Sequence, residues 1–337
     1  MKNKLVSSLF LAAGLLLTTA GFAQDKSEPK FKKTRNYSKS YSLGSSDKVS
    51  LNNQFGELKI VTWEKNEVKV DVTIMGKSDE EQRAQQILDH ISIADGKDGN
   101  TVYFKTKFSN NDQKVWNKNN KEKHHNEGME INYLVYMPAG NGLDAENQFG
   151  KMIVPDFRGP AELESKFGSL TAGKVTNAKS ITVEFGSADI GQMVGGKLTI
   201  KFSSGLVNKL SGDVKSVVEY SKVKLVVDND IKNLDISNSF SELYLDLSTN
   251  LSATFAISTS HGEFTNKSNY TIKKEGDGDD DGYGPKFNHK YSGTAGGGGA
   301  KIKVSSSFGH TTAGHNLQVD MSDKHKNKNK NKTTTSL

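Results

Sequence analysis

Cysteine is absent from the 337-residue sequence. Its absence excludes a disulfide framework, a thiolate metal site, a cysteine nucleophile and a lipid-attachment cysteine near the amino terminus. Without disulfides the fold must be held by an apolar core, and a chain of this length is long enough to bury one. We therefore expect a packed core rather than a small cross-linked domain.

Long hydrophobic runs are absent beyond the first 23 residues. Lys2 and Lys4 precede an apolar run over residues 5–17, and small residues follow up to Ala23. This pattern predicts a secretory signal peptide over residues 1–23, cleaved after Ala23. The alternative is an uncleaved anchor helix, but the run is shorter than the roughly 20 residues that span a bilayer. We expect no transmembrane segment after cleavage, and a location in the periplasm, at the cell surface or outside the cell.

A net positive charge is absent from the body of the chain, although the formal net charge of the whole sequence is +6. Residues 26–39 carry five lysines and one arginine against Glu28, and a second basic run follows near the end (Lys324, Lys326, Lys328, Lys330 and Lys332). The residues between these two runs carry a net negative charge. The pattern predicts a basic linker over 24–40 and a disordered basic tail over 321–337. We expect both ends to be solvated, and the alternative is that the basic tail contacts an anionic surface. We expect no specific nucleic acid partner.

Residues 41–140 are predicted to form an N-terminal β region. Apolar and polar residues alternate over residues 68–74, which is the period of a half-buried strand. A polar stretch over 109–128, which contains His124 and His125, predicts a long loop.

One short helix is predicted near 79–89. Ser78 is followed three residues later by Glu81, which is the spacing of a capping box. Apolar residues then follow at helical spacing, namely Ala84, Ile87, Leu88 and Ile91.

An aromatic residue followed by Gly or Ser recurs in the second half of the chain, at spacings of 18, 18, 17, 18 and 20 residues. The aromatics are Phe149, Phe167, Phe185, Phe202, Tyr220 and Phe240. Three positions in each period are predicted to face inward. They are Met152, Leu170, Ala188, Gly205, Val223 and Leu243; Val154, Ala172, Ile190, Val207, Leu225 and Leu245; and Ala145, Leu163, Ile181, Leu198, Ser216 and Ile236. Residues 53–56 are a further copy, and Ser307-Phe308-Gly309 predicts a final turn.

This period predicts an all-β fold, a β-solenoid of the single-stranded β-helix-like kind with coils of about 18 residues over 141–320. A propeller blade needs about 40 residues, whereas a short coil is stabilised by stacking on its neighbours. The aromatics would form a ladder in the core or along a corner. An acidic and Gly-rich loop at 276–299 is expected to project from the coils. The alternative fold is an antiparallel β-sandwich.

The unit Asn53-Gln54-Phe55-Gly56-Glu57-Leu58-Lys59-Ile60, followed by Trp63, by the strand at 68–74 and by the Phe-Gly and Phe-Ser repeats, resembles the bacterial "putative adhesin" β-strand-repeat families. These are exported domains of unknown function, related to autotransporter adhesin head domains. The resemblance covers residues 45–315. It implies an exported β-solenoid with a role at the cell surface and without a defined ligand.

The strongest metal-site pattern is Asp277, Asp279 and Asp281 followed by Gly282, which matches the first half of a calcium loop. These are weak calcium candidates, because Asn288 stands where that loop requires a bidentate Glu. A solvated acidic loop is the alternative. The histidines, including His310 and His315, are interpreted as isolated surface residues, so we commit to no metal site and no cofactor.

Catalysis is not expected, because no nucleophile elbow, zinc-binding helix or phosphate-binding glycine loop occurs. Arg158 is the only arginine in residues 145–250, whereas β-helix enzymes that act on acidic polysaccharides cluster basic residues on one face. We expect an adhesin-like or envelope-interaction protein whose partners are envelope glycans or surface proteins. The alternatives are a periplasmic polysaccharide-active enzyme, a structural envelope scaffold and a component of an envelope sensor.

Overall fold

The computed structural model describes residues 28–109, 126–276 and 287–321. Within these ranges the chain is all-β, with 22 strands and one α-helix. Several predicted features lie outside the described residues. They are the signal peptide over 1–23, most of the loop over 109–128 with His124 and His125, the calcium candidates Asp277, Asp279 and Asp281, and the tail beyond Met321. No helix in the described residues is long and apolar enough to cross a membrane.

The N-terminal region is a mixed layer at one end of the sheet. Its elements are β1 (Phe31–Ser42), β2 (Lys48–Gln54), β3 (Leu58–Thr62), β4 (Glu67–Ser78), α1 (Glu81–Asp89), β5 (Ile91–Asp98), β6 (Thr101–Phe108) and β7 (Gly128–Met137). Strand β4 pairs antiparallel with β1 on one side and with β7 on the other, while β5 and β6 form an antiparallel hairpin. Strands β2 and β3 instead run parallel to the first two strands of the repeat array, which begins at Gly142.

The predicted linker over 24–40 is wrong from Phe31 onward, because β1 occupies residues 31–42. Lys32 and Lys39 of β1 are exposed, which is typical of an edge strand. Its two tyrosines, Tyr37 and Tyr41, pack against the core and donate hydrogen bonds to the carboxylate of Asp95. The composition of this segment is therefore that of a charged edge strand anchored by two aromatic rings.

The predicted helix is confirmed, with Ala84, Ile87 and Leu88 buried. The capping box is wrong. The residue before the helix is Glu80, in an extended conformation with no side-chain cap, and Ser78 ends β4. The hydroxyl of Ser78 accepts a hydrogen bond from the Glu80 N–H at 3.2 Å instead.

The repeats form a regular array of parallel strands. They are β8 (Gly142–Gln148), β9 (Lys151–Val154), β10 (Ala161–Lys166), β11 (Ser169–Val175), β12 (Ala178–Glu184), β13 (Ser187–Lys201), β14 (Ser204–Glu219), β15 (Lys222–Ser239) and β16 (Glu242–Leu247). Each strand pairs with its equivalent one repeat later, so that Leu170 lies opposite Met152 on one side and Ala188 on the other. All eighteen positions predicted to face inward are buried. This parallel pairing is not that of an antiparallel sandwich.

The order of the last strands departs from the order of the sequence. They are β17 (Ala253–Ser260), β18 (Glu263–Lys267), β19 (Ile272–Lys274), β20 (Asn288–Ala295), β21 (Ala300–Ser307) and β22 (His310–Gly314). Strand β21 pairs with β15 on one side and with β17 on the other, and β22 lies in the same way between β16 and β18. The turn at Phe308, which joins β21 to β22, therefore lies between the β15–β16 turn and the β17–β18 turn, although β17 and β18 come before it in the sequence. The predicted loop over 276–299 is wrong for residues 288–295, which form β20 and pair antiparallel with β17 and β19.

Candidate functional site: an exposed aromatic ladder

The aromatic residues of the repeats occupy the corner between two strands. Their backbones all have positive φ angles, from 49° to 64°, at Phe55, Phe149, Phe167, Phe185, Phe202, Tyr220, Phe240 and Phe308. A bulky side chain rarely adopts this left-handed conformation, and each such residue costs on the order of 1–3 kcal/mol. Glycine or asparagine would make the same turn with less strain.

The residue after each aromatic allows the corners to stack closely. A Cβ atom added to Gly168 would lie 1.8 Å from the backbone oxygen of Gly150, and one added to Gly186 would lie 1.8 Å from that of Gly168. These positions exclude a side chain. Later corners carry serine instead, and the Ser221 hydroxyl accepts a hydrogen bond from the Ser203 N–H at 3.1 Å.

The corner rings stack directly on one another. Neighbouring ring centroids are 4.7–5.0 Å apart and the ring planes differ by at most 11°. In spatial order the rings are Phe55, Phe149, Phe167, Phe185, Phe202, Tyr220, Phe240, Phe308, His261 and Phe287. We call these ten rings the aromatic ladder. At one ring per strand spacing it extends for roughly 40 Å.

The ladder lies on the surface of the protein. The Phe and Tyr side chains from Phe149 to Phe308 are 45–54% exposed, and Phe287 is 51% exposed. Of the two positions that the sequence left open, the structure therefore selects the corner and not the core. Because each ring covers the faces of its neighbours, the surface that remains for a partner consists of ring edges.

Charged side chains lie on both sides of the ladder. The carboxylate of Glu219 pairs with Lys201 at 3.1 Å on one side, and Glu242 pairs with Lys222 at 3.8 Å on the other. An open groove of about 1020 Å³ runs beside the rings from Phe185 to His261. An apolar strip with a polar rim is typical of an interaction surface.

Two rings of the ladder were missed by the sequence interpretation. His261 precedes Gly262 and so repeats the aromatic-glycine pair, with Ile257 buried four residues before it. That signal was available, had histidine been counted among the aromatic residues. Phe287 precedes the antiparallel strand β20, where no repeat indicates its position.

The histidines considered as metal ligands do not come together. His310 Nδ1 lies 3.4 Å from the Glu263 carboxylate, whereas the ring of His315 contacts the backbone oxygen of Leu247 and the side chain of Asn269. In residues 28–109, 126–276 and 287–321 no three His, Asp or Glu side chains are placed to hold a metal ion.

Comparisons with known proteins give structural likeness alone. No family model matches the chain, and no curated protein matches it. A "putative adhesin" from Bacteroides fragilis is 11% identical over 83% of this chain and 97% of its own, with a TM-score of 0.36. A "putative cell adhesion protein" from Clostridium sporogenes is 13% identical over 84% and 100%, with a TM-score of 0.21. A "putative adhesin" from Parabacteroides distasonis is 10% identical over 64% and 90%, with a TM-score of 0.29.

Proposed function

We propose that this chain is an exported, non-catalytic adhesin-like protein of the cell envelope. In this proposal the parallel repeats form a β-solenoid, and the aromatic ladder is the surface that contacts surface proteins or envelope glycans. The observation that carries the proposal is the ladder itself, in which half-exposed rings stand in a row on strained backbone.

The strain and the exposure are both unfavourable in the isolated protein. A left-handed phenylalanine costs free energy that asparagine at the same corner would not. Exposed apolar strips of this size are uncommon on a monomer and mark contact sites. Stacking between neighbouring rings offsets part of this unfavourable free energy, by about 0.5–1.5 kcal/mol for each aromatic pair. A partner that covers the ring edges would offset the rest.

The orientation of the rings favours a protein partner over a sugar stacked face to face. The inner faces are covered by neighbouring rings about 4.9 Å away, so that a sugar ring has no open face along the ladder. An edge-on apolar strip flanked by Lys–Glu ion pairs matches an extended protein surface with its own apolar centre and charged rim.

The test is binding of the mature chain, from Gln24 onward, to intact bacterial cells and to isolated envelope fragments. A ladder variant carries Phe167→Asn, Phe185→Asn and Phe202→Asn, because asparagine tolerates the left-handed conformation. A matched control carries three exposed substitutions away from the ladder, namely Lys174→Asn, Asp230→Asn and Lys232→Asn. Circular dichroism establishes that both variants are folded.

We expect the ladder variant to lose binding by roughly tenfold or more, which corresponds to 1.4 kcal/mol, while the control binds as the wild type does. A folded ladder variant that binds normally would assign the rings a purely structural role. Absence of wild-type binding would overturn the adhesin-like function. Cell fractionation with surface proteolysis tests the proposed location.

A further inference from the structure

A second surface of the array is lined by lysines and lies apart from the aromatic ladder. It is a groove of about 780 Å³ on the outer side of strands β12, β13, β14, β15, β17 and β21. We call it the lysine groove. Its charged residues are Lys179, Lys197, Lys215, Lys301, Lys303, Asp213 and Asp235.

Like charges are stacked in this groove. Lys197 of β13 lies directly opposite Lys215 of β14 in the parallel register. Neighbouring strands are about 4.8 Å apart, and like charges that face each other across two strands are destabilising. Both side chains are exposed, and among the described residues neither forms an ion pair.

Opposite charges face each other at other places in the same sheet. Lys201 lies opposite Glu219 and pairs with it at 3.1 Å, although both belong to the same two strands as Lys197 and Lys215. Lys222 lies opposite Glu242 in the next pair of strands. The sequence can therefore place a carboxylate opposite a lysine at such positions, but opposite Lys197 it places a second lysine.

The two carboxylates of the groove are already engaged. Asp235, which lies opposite Lys215, pairs with Lys303 at 3.7 Å. Asp213 accepts a hydrogen bond from the side-chain amide of Asn233. The remaining lysines, including Lys301, leave the groove with an excess of positive charge that faces solvent.

We propose that the lysine groove binds an acidic polysaccharide. Repeated carboxylate or sulfate groups along such a chain would meet the lysines of β13, β14 and β21 and offset the repulsion between Lys197 and Lys215. No aromatic ring lines the groove, so it lacks the stacking platform on which proteins hold single-stranded nucleic acid. The inference rests on the proposed function for placing the protein among envelope glycans, but its site is separate from the ladder.

The experiment uses the full mature chain with polygalacturonate and dextran sulfate as acidic probes, and with neutral dextran and single-stranded DNA as comparison probes. Calorimetry is run at about 50 mM and about 300 mM NaCl, because exposed charges are screened as salt rises. The groove variant is Lys197→Gln, Lys215→Gln and Lys301→Gln. The control variant is Lys59→Gln, Lys151→Gln and Lys174→Gln, which removes the same charge from exposed positions elsewhere. All three proteins keep the basic run near residue 330, so differences between them report on the substituted positions.

We expect the acidic probes to bind the wild type, to bind the groove variant roughly tenfold more weakly and to bind the control variant within about twofold of the wild type. If both variants lost affinity for the acidic probes equally, the effect would be one of net charge, and the proposed binding site would be overturned. Tighter binding of DNA than of the acidic glycans would also overturn it. A third outcome would overturn it as well. If no probe binds, and if the wild type self-associates in sedimentation while the groove variant does not, a second copy of the chain occupies the groove.

The variant Phe167→Asn, Phe185→Asn and Phe202→Asn separates the two proposals. If it binds the acidic probes normally but has lost cell binding, both sites stand. If the groove variant and the wild type bind the probes alike while the ladder variant loses cell binding, the lysine groove fails and the proposed function survives.

Discussion

The first and second halves of the array make the same corner in different ways. In the first half the aromatic is followed by glycine, at Gly150, Gly168 and Gly186; in the second half it is followed by serine, at Ser203, Ser221 and Ser241. The ring centroids are nevertheless 4.9 Å apart in both halves, as between Phe167 and Phe185 and between Phe202 and Tyr220. The spacing of the ladder is therefore independent of the residue that follows each ring.

The two kinds of corner are stabilised by different interactions. At a glycine corner the backbone oxygen of the preceding repeat fills the place where a Cβ would stand, so the close packing itself is the constraint. At a serine corner there is room for a side chain, and its hydroxyl accepts a hydrogen bond from the preceding serine N–H. The comparison predicts that glycine corners are intolerant of any side chain, whereas serine corners depend on one hydroxyl.

The largest expected effect is that of Gly168→Ala. Its Cβ would lie 1.8 Å from the Gly150 oxygen, and that oxygen already accepts a hydrogen bond from the Ser169 N–H at 3.2 Å. The backbone must shift and weaken the strand pairing, so we expect a loss of about 3 kcal/mol or more in the free energy of unfolding, measured by urea denaturation.

Gly140→Ala is the matched control, because nothing lies within 4 Å of an added Cβ at that position. We expect it to change stability by less than about 0.5 kcal/mol. Equal effects of the two substitutions would contradict the packing explanation of the glycine corners.

A smaller effect is expected for Ser221→Ala at a serine corner. The substitution keeps the Cβ and removes the hydroxyl that accepts the Ser203 N–H at 3.1 Å. A buried donor left without its acceptor costs about 1–3 kcal/mol, which we expect to see as a lower urea midpoint. Ser237→Ala, at an exposed position, is the control and should be nearly neutral. If Ser221→Gly restored the wild-type midpoint, steric fit rather than hydrogen bonding would govern this corner.

The regular part of the fold followed from the sequence because a period of about 18 residues fixes the register of the strands. Once Phe149 and Phe167 are aligned, Met152 must lie opposite Leu170, and both are buried. The insertion of β21 between β15 and β17 could not be predicted, since the pattern at Phe308 fits any neighbouring layer equally well.

The candidate site was predicted only in part. Spacing placed the aromatic residues at equivalent positions, but it does not determine the sign of φ, which decides whether a ring points into the core or out of the corner. The glycines and serines after each ring indicate a bend and leave that direction open. The lysine groove was missed for a different reason, because Lys197, Lys215 and Lys301 line one groove only when β13, β14 and β21 are placed in the same sheet.

The smallest effect on the free energy of unfolding is expected for Phe185→Asn and for Tyr220→Asn. Comparing these two variants tests the ladder in both halves of the array. Each substitution removes two stacking contacts of about 0.5–1.5 kcal/mol and relieves a left-handed strain of about 1–3 kcal/mol, so the two terms nearly offset. We expect both urea midpoints to stay close to that of the wild type. Phe157→Asn, which replaces a fully buried ring, should lose about 3–5 kcal/mol and shows that the assay detects a structural aromatic. A large loss at Phe185 with none at Tyr220 would mean that the ladder stabilises glycine corners specifically, and its rings would then be structural in the first half and available for contact in the second.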